Sequence, residues 1–200
     1  MQVSQDEDLD LARHVESQVG LGATNAVATP YRPTYAWTGP YLNAQQARYA
    51  AAPRNRMLID LGIPGWLRVE DALKLYEMAF FSAGNVLELG TNRGLSTSVI
   101  ATALLDSKNG HRLTTVEIRA PLLAQARAEL EERKLDAVVD FVCGDASDVM
   151  LQLRSEGAKF GFAFIDHSHA FEPVYQACLA LGDLIAPGGF AAFHDYTDRR

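Results

Sequence analysis

The sequence predicts an α/β fold, doubly wound, with a mainly parallel sheet and helices on both faces. Three observations predict it. From residue 86 onward, short apolar runs alternate with longer amphipathic stretches, which is the rhythm of βαβ units. Val86, Leu87 and Leu89 make a compact apolar run suited to a parallel strand covered on both faces. Gly90 and Gly94 then mark a tight turn into a helix start, where glycine lets the backbone turn sharply and lets a ligand approach the main chain.

The elements follow in order. Residues 1–19 are polar with an acidic start and read as one frayed helix. Residues 20–43 are rich in Gly, Ala, Thr, Pro and aromatics (Tyr31, Tyr35, Trp37 and Tyr41 among them) and read as an irregular arm. Residues 44–60 read as helical until Pro53 interrupts. Gly62, Pro64 and Gly65 mark a turn before Trp66. Ala72, Leu73, Leu75, Tyr76 and Ala79 share one side of a helix over 69–81, with Glu70 and Asp71 in its favourable first turn. Strands are expected near 86–89, 113–117, 138–142, 162–165 and 189–193, and helices near 95–106, 121–134, 147–156 and 171–185. Pro121 suits a first helical turn. Ser96, Thr97 and Ser98 are expected to satisfy the free amides at the start of their helix. The architecture is therefore Rossmann-like, with residues 1–60 as an N-terminal helical and arm region, a lid or a dimer contact, and residues 61–200 as the main domain.

Composition narrows the function. Of 200 residues, 48% are hydrophobic and 22% charged, with a net charge of −7, as expected for one globular domain. Lys and Arg are not concentrated anywhere, which argues against nucleic acid as a partner. No apolar run approaches the roughly 18 residues needed to span a membrane, and the acidic start is unlike a signal peptide. Cys143 and Cys178 read as reduced core residues. The cytoplasm is the expected compartment.

In open α/β sheets, ligands bind beyond the carboxyl ends of the strands, so those ends carry the chemistry. Strand one ends in Glu88-Leu89-Gly90. The spacing Gly90-Asn92-Gly94 fails the dinucleotide pattern G-x-G-x-x-G, and no Gly-Lys-Ser/Thr of a P-loop is present. A carboxylate at this turn suits a cationic or hydroxyl-rich ligand better than a polyphosphate, which favours S-adenosylmethionine over NAD or ATP. Strand two ends in Glu117, placed to accept hydrogen bonds from ribose hydroxyls. Strand three ends in Cys143-Gly144-Asp145-Ala146, where Asp145 caps the next helix, faces an adenine amino group, or does both. Strand four ends in Asp166-His167-Ser168-His169, and strand five in His194-Asp195-Tyr196. Asp166 and Asp195 on neighbouring tips would repel unless a cation sat between them, and a divalent ion such as Mg²⁺ is the economical solution. His169 can face the same cleft as a general base toward a substrate hydroxyl.

With these residues in hand, the chain resembles the class I S-adenosylmethionine-dependent methyltransferases, and within them the small-molecule O-methyltransferases that bind a divalent metal. The resemblance covers about residues 60–198. It implies that Gly90, Asn92 and Ser96 hold the methionine part of the cofactor beside Glu88, that Gly94 is cofactor-binding with them, and that Glu117 binds the ribose. It further implies that Gly144, Asp145 and Ala146 flank the adenine. Asp166 and Asp195 match metal ligands, His167 lies beside the cofactor, and His169 with Asp166 carries the chemistry. Tyr196 stands where such enzymes place a third ligand, for which Asp198 or water would substitute. The implied activity is methyl transfer to a hydroxyl of a sugar, phenol or natural product, with a homodimer as a further expectation. A fold of this kind that no longer methylates, and an NAD-dependent oxidoreductase, are the rival readings. The family adds two strands after strand five, and they are apparently absent here, so C-terminal truncation is expected.

Overall fold

The structure, a computed structural model, describes residues 40–55, 58–168 and 170–194. All of them belong to one compact unit, Tyr31–Arg200. The polar N-terminus, most of the aromatic arm, His169, Asp195, Tyr196 and Asp198 lie outside the described residues.

Helix α1 (Pro40–Ala51) is followed by two short antiparallel strands, β1 (Arg54–Asn55) and β2 (Leu58–Ile59), and by helix α2 (Val69–Phe80). The alternating part then runs β3 (Val86–Leu89), α3 (Leu95–Ser107), β4 (Leu113–Glu117), α4 (Ala120–Glu132), a 3-10 turn (Asp136–Val138), β5 (Val139–Cys143), α5 (Ala146–Ser155), β6 (Phe160–Ile165), α6 (Phe171–Leu184) and β7 (Ile185–Phe193). The five long strands form one parallel sheet in the order β5-β4-β3-β6-β7.

Side-chain alternation across the pleat builds two cores. Val86, Phe162 and Phe164 face the layer of α2, α3 and Leu130 of α4. Leu87, Leu89, Ala163 and Ile165 face the layer of α5 and α6. Helices therefore cover both faces, as the sequence predicts. Helix α1 joins the first layer through Tyr49, which is buried and packs edge-on against Tyr76 with ring centroids 6.4 Å apart. Asp106 of α3 accepts from Tyr76 Oη at 2.7 Å and from Gln45 Nε2 at 3.2 Å, which ties three helices together. Among the described residues, no helix is long and apolar enough to cross a membrane.

Three expectations are corrected, and the stretch after Pro53 is filled in. Residues 40–43 are already helical, because Pro40 occupies the first turn, where its lacking N–H costs nothing. After Pro53, where the helical reading stops, the chain forms β1 and β2, and Ile59 N–H donates to Leu67 O at 2.8 Å. Strand β7 starts at Ile185, earlier than Pro187-Gly188-Gly189 suggests. Ile185 pairs with Phe160 before an irregularity that absorbs those three residues, and pairing resumes at Phe162–Phe190. Finally, Cys143 and Cys178 are free thiols but exposed, not core. Cys143 ends an edge strand, and Cys178 lies on the outer side of α6, whose buried residues are Ala177, Leu181 and Leu184.

Candidate active site

Parallel register brings the chemically charged strand ends to one edge of the sheet. Glu88 pairs with Thr115 and Phe164, Glu117 with Cys143, and Ile165 with Phe193. Residues one step beyond these pairs therefore meet. Asp166 N–H donates to Leu89 O at 2.8 Å, and His194 N–H donates to Ile165 O at 3.0 Å.

The loop Gly90–Gly94 depends on left-handed backbone at Gly90 (φ 103), Asn92 (φ 46) and Gly94 (φ 90). Gly90 is required twice over. A Cβ there would stand 2.2 Å from the carbonyl oxygen of Asp166 and 2.9 Å from His167 Cα. The missing side chain is what lets the tips of β3 and β6 close on each other. At Gly94, a Cβ would meet Leu130 and Ala126 of α4 at 3.0 and 3.2 Å, so this glycine also serves helix packing.

Glu88 is fully buried. Its Oε1 accepts from Ser96 Oγ, and its Oε2 accepts from Thr97 Oγ1 and Thr115 Oγ1, each at 2.6 Å. The expectation that Ser96, Thr97 and Ser98 cap their own helix is corrected here. Two of the three hydroxyls turn inward to the carboxylate, while Ser98 Oγ donates to Leu95 O, and Gly94 starts the helix without a side-chain cap. The carboxylate claims these hydroxyls because a buried charge without partners costs more than a neutral amide without one. Burial nevertheless pushes the Glu88 carboxyl up to about 7, against the three hydroxyls that favour its charged form.

Glu117 is also buried, at the end of β4. Its Oε2 accepts Asn92 N–H at 2.8 Å and its Oε1 accepts Arg119 N–H at 3.0 Å, with Arg119 Nε at 3.4 Å. The carboxylate is thereby held in place over the glycine loop. Gly144 N–H donates to Glu117 O at 3.1 Å, which fixes the neighbouring turn. Asp145 is the N-cap of α5, accepting Ser147 N–H at 2.8 Å. Ala146 opens that helix, with its side chain packed against the second core.

Asp166 and His167 follow β6, both half-buried. Asp166 Oδ1 lies 3.2 Å from His194 Nδ1, and the His194 ring meets Phe164 edge-on with centroids 6.0 Å apart. Asp71, in the first turn of α2, faces the same imidazole. Burial raises the pKa of Asp71, and the nearby His194 and Arg68 pull it back down.

Two residues that the sequence reading did not single out stand at this edge. His194 is one; the register of two parallel strands that both end in His/Asp clusters places it beside Asp166. Ile118 is the other. It directly follows Glu117 and is 63% exposed, an apolar side chain left uncovered next to the end of β4. An apolar residue after an acidic strand end is the signal for it.

A sequence model of a methyltransferase-domain family matches residues 87–196, more than half of the chain. A catechol O-methyltransferase from Niastella koreensis is 42% identical over 85 residues, which make up 42% of this chain and 37% of that protein. The match thus spans little more than a third of that curated relative. Among solved structures, the O-methyltransferase TomG from Streptomyces achromogenes, involved in tomaymycin synthesis and determined with SAM, is similar with a TM-score of 0.55. It is 25% identical, over 80% of this chain and 67% of that one. An O-methyltransferase from Bacillus cereus in complex with SAH is similar with a TM-score of 0.51 at 25% identity, over 76% of this chain and 64% of that one.

Proposed function

The chain belongs to the methyltransferase-domain family, and from that premise we propose that it transfers a methyl group from S-adenosylmethionine to a hydroxyl of a small molecule. The observation that carries the reading is Glu117. It is a buried carboxylate locked by two backbone amides above a glycine loop, at the edge where parallel strands end. That arrangement suits the paired hydroxyls of a ribose. The relatives that are O-methyltransferases, two of them solved with SAM or SAH, support the cofactor and the oxygen acceptor.

Bound there, S-adenosylmethionine supplies an electrophilic methyl group on sulfur. Gly90, Asn92, Gly94 and Ser96 hold its methionine part. Glu88 acts on that part through Ser96, whose hydroxyl it orients. Glu117 takes the ribose, and Gly144, Asp145, Ala146 and the exposed Ile118 flank the base. Asp166 and His167 close the far side. The chain's main contribution is to hold acceptor oxygen and methyl carbon in line at near-attack distance. His169 takes the proton from the acceptor hydroxyl. The neighbour of Asp166 is an imidazole, which does not make the oxygen-rich shell that Mg²⁺ prefers. The Mg²⁺ expectation rests on Asp195 as well, so no step here runs through a metal.

A second reading of the base rests on one distance. His194 Nδ1 is 3.2 Å from Asp166 Oδ1, within reach of the orienting contact that a general-base histidine needs and that often aligns only with substrate bound. Calorimetric titration with S-adenosylhomocysteine, followed by turnover assays on hydroxylated acceptors, tests the proposal. Loss of binding in Glu117→Ala supports the cofactor site. Replacing the true base with Ala lowers turnover by roughly 10²- to 10⁴-fold while cofactor affinity holds. A drop in His169→Ala alone selects the first base, and a drop in His194→Ala alone selects the second. A folded protein that binds no S-adenosylhomocysteine refutes the proposal. Binding without turnover on any acceptor marks a fold that no longer methylates.

A further inference from the structure

A cavity of about 170 Å³ lies against α3 at Ser98 and Thr102, lined by none of the strand-end residues described above. Its other walls include Arg48 and Tyr49 of α1, and Arg133 and Leu135 beyond the end of α4. At about 30 Å³ per water in the liquid, the space suits one oxyanion on a short carbon frame.

Four features define what it would hold. First, two guanidinium groups from different elements border it, Arg48 lying 5.9 Å from the Tyr49 ring centroid and Arg133 ion-paired with Glu129. Arg48 Nη1 is 3.5 Å from Gln45 Oε1, and Arg133 Nη2 is 3.2 Å from Glu129 Oε2. With five donors each, both arginines keep donors for a ligand. Second, Ser98 Oγ and Thr102 Oγ1 spend their protons on Leu95 O and Ser98 O, each at 2.7 Å. Their lone pairs are left to accept from a ligand hydroxyl. Third, the nearby carboxylates are committed. Glu129 holds Arg133, and Asp106 accepts from Tyr76 and Gln45. Tyr49 adds no charge, since burial holds its phenol neutral at about 12. Fourth, Gly62, at φ 77, brings backbone close to Arg133; a Cβ there would stand 3.4 Å from Arg133 Nη2.

We propose that this cavity binds a small oxyanion carrying hydroxyl groups, with Arg48 and Arg133 donating to the anionic end and Ser98 and Thr102 accepting from the hydroxyls. The site is separate from the sheet edge and does not depend on the methyltransferase reading.

The test is calorimetry of the full chain with two probes, inorganic phosphate and glycerol phosphate, with chloride as the control. The expected result is saturable binding of both, tighter for glycerol phosphate. Arg48→Gln and Arg133→Gln should each weaken it by roughly ten- to a hundredfold, the effect of one charge-assisted hydrogen bond. Both arginines are exposed, so the variants should keep the fold, and circular dichroism melts check that. Thr102→Val should reduce the preference for glycerol phosphate, Ser98 remaining as the other acceptor, while leaving phosphate binding intact. Absence of saturable binding by either probe, or unchanged affinity in both arginine variants, overturns the proposal.

Discussion

Replacing Glu88 with Gln should remove a specific pH dependence of stability. Glu88 is fully buried, and its carboxyl is pushed up to about 7 from an ordinary value near 4.5. At about 1.4 kcal/mol for each factor of ten in proton affinity, the displacement amounts to about 3 kcal/mol. The direction follows from proton counting. Below about pH 4.5, folded and unfolded chains both hold the proton, and the full stability is present. Between about 4.5 and 7, the unfolded chain has lost that proton while the folded chain keeps it, so stability falls as pH rises. Above about 7 the loss is complete. The Gln side chain cannot titrate. It can accept through its oxygen, but its amide donates, so at least one of the three hydroxyls must turn to accept from it, Ser96 alone if the oxygen faces Thr97 and Thr115. That cost, about 1 kcal/mol, is the same at every pH. Urea denaturation of both proteins from about pH 4 to 8 reads the effect as a difference, in which the other carboxylates cancel. The wild-type advantage over Glu88→Gln should shrink by about 3 kcal/mol across that range. A flat difference would refute the reasoning, since it would mean that the three hydroxyls outweigh burial and keep Glu88 ionised.

Other outcomes follow from the same geometry. Gly90→Ala must relieve a backbone clash at 2.2 Å and a left-handed φ, so it should cost about 3–5 kcal/mol or prevent soluble expression, as denaturation or yield will show. Asp145→Ala loses the cap on α5 and should cost about 1 kcal/mol in the same assay. The Arg112–Asp140 pair makes two hydrogen bonds, at 2.6 and 2.8 Å, but is about half exposed. A double-mutant cycle should give a coupling under about 1 kcal/mol that shrinks in high salt. The Arg112 hydrogen bond lowers the pKa of Asp140, so this coupling should fade as pH drops through the carboxylate range.

Much of this was legible in the residues. Short runs rich in apolar or β-branched residues with an acid in or just after them located β3, β4 and β6, because a strand covered on both faces leaves little choice of residue type. Helix ends came within a residue or two wherever Pro or Asp marked them, as at Pro121 and Asp145. What was not legible depended on long-range pairing. Pro187-Gly188-Gly189 has turn chemistry, yet the neighbouring β6 extends a strand through it. Arg54 to Ile59 carries no periodicity, and pairing with a partner only five residues away decides its form. Cys143 and Cys178 have core-like chemistry, but their exposure depends on which faces of β5 and α6 the neighbours leave open. At the site, residue types were readable and partners were not. Ser96 and Thr97 suggest caps until the buried carboxylate beside them is known. His194 gains meaning only when register sets it beside Asp166.

The sheet order has a kinetic consequence. The central strand β3 is flanked by β4, which follows it closely, and by β6, which arrives only after two further helices and another strand have been made. The segment from β3 to β4 can assemble the Glu88 and Glu117 corner early, from local closures. The Asp166 wall waits on a long loop closure, whose entropy must be met before the new contacts offset it. A nascent or partly folded chain would therefore present an open half-cleft, and full ligand affinity would appear late, as a reporter that β6 has docked.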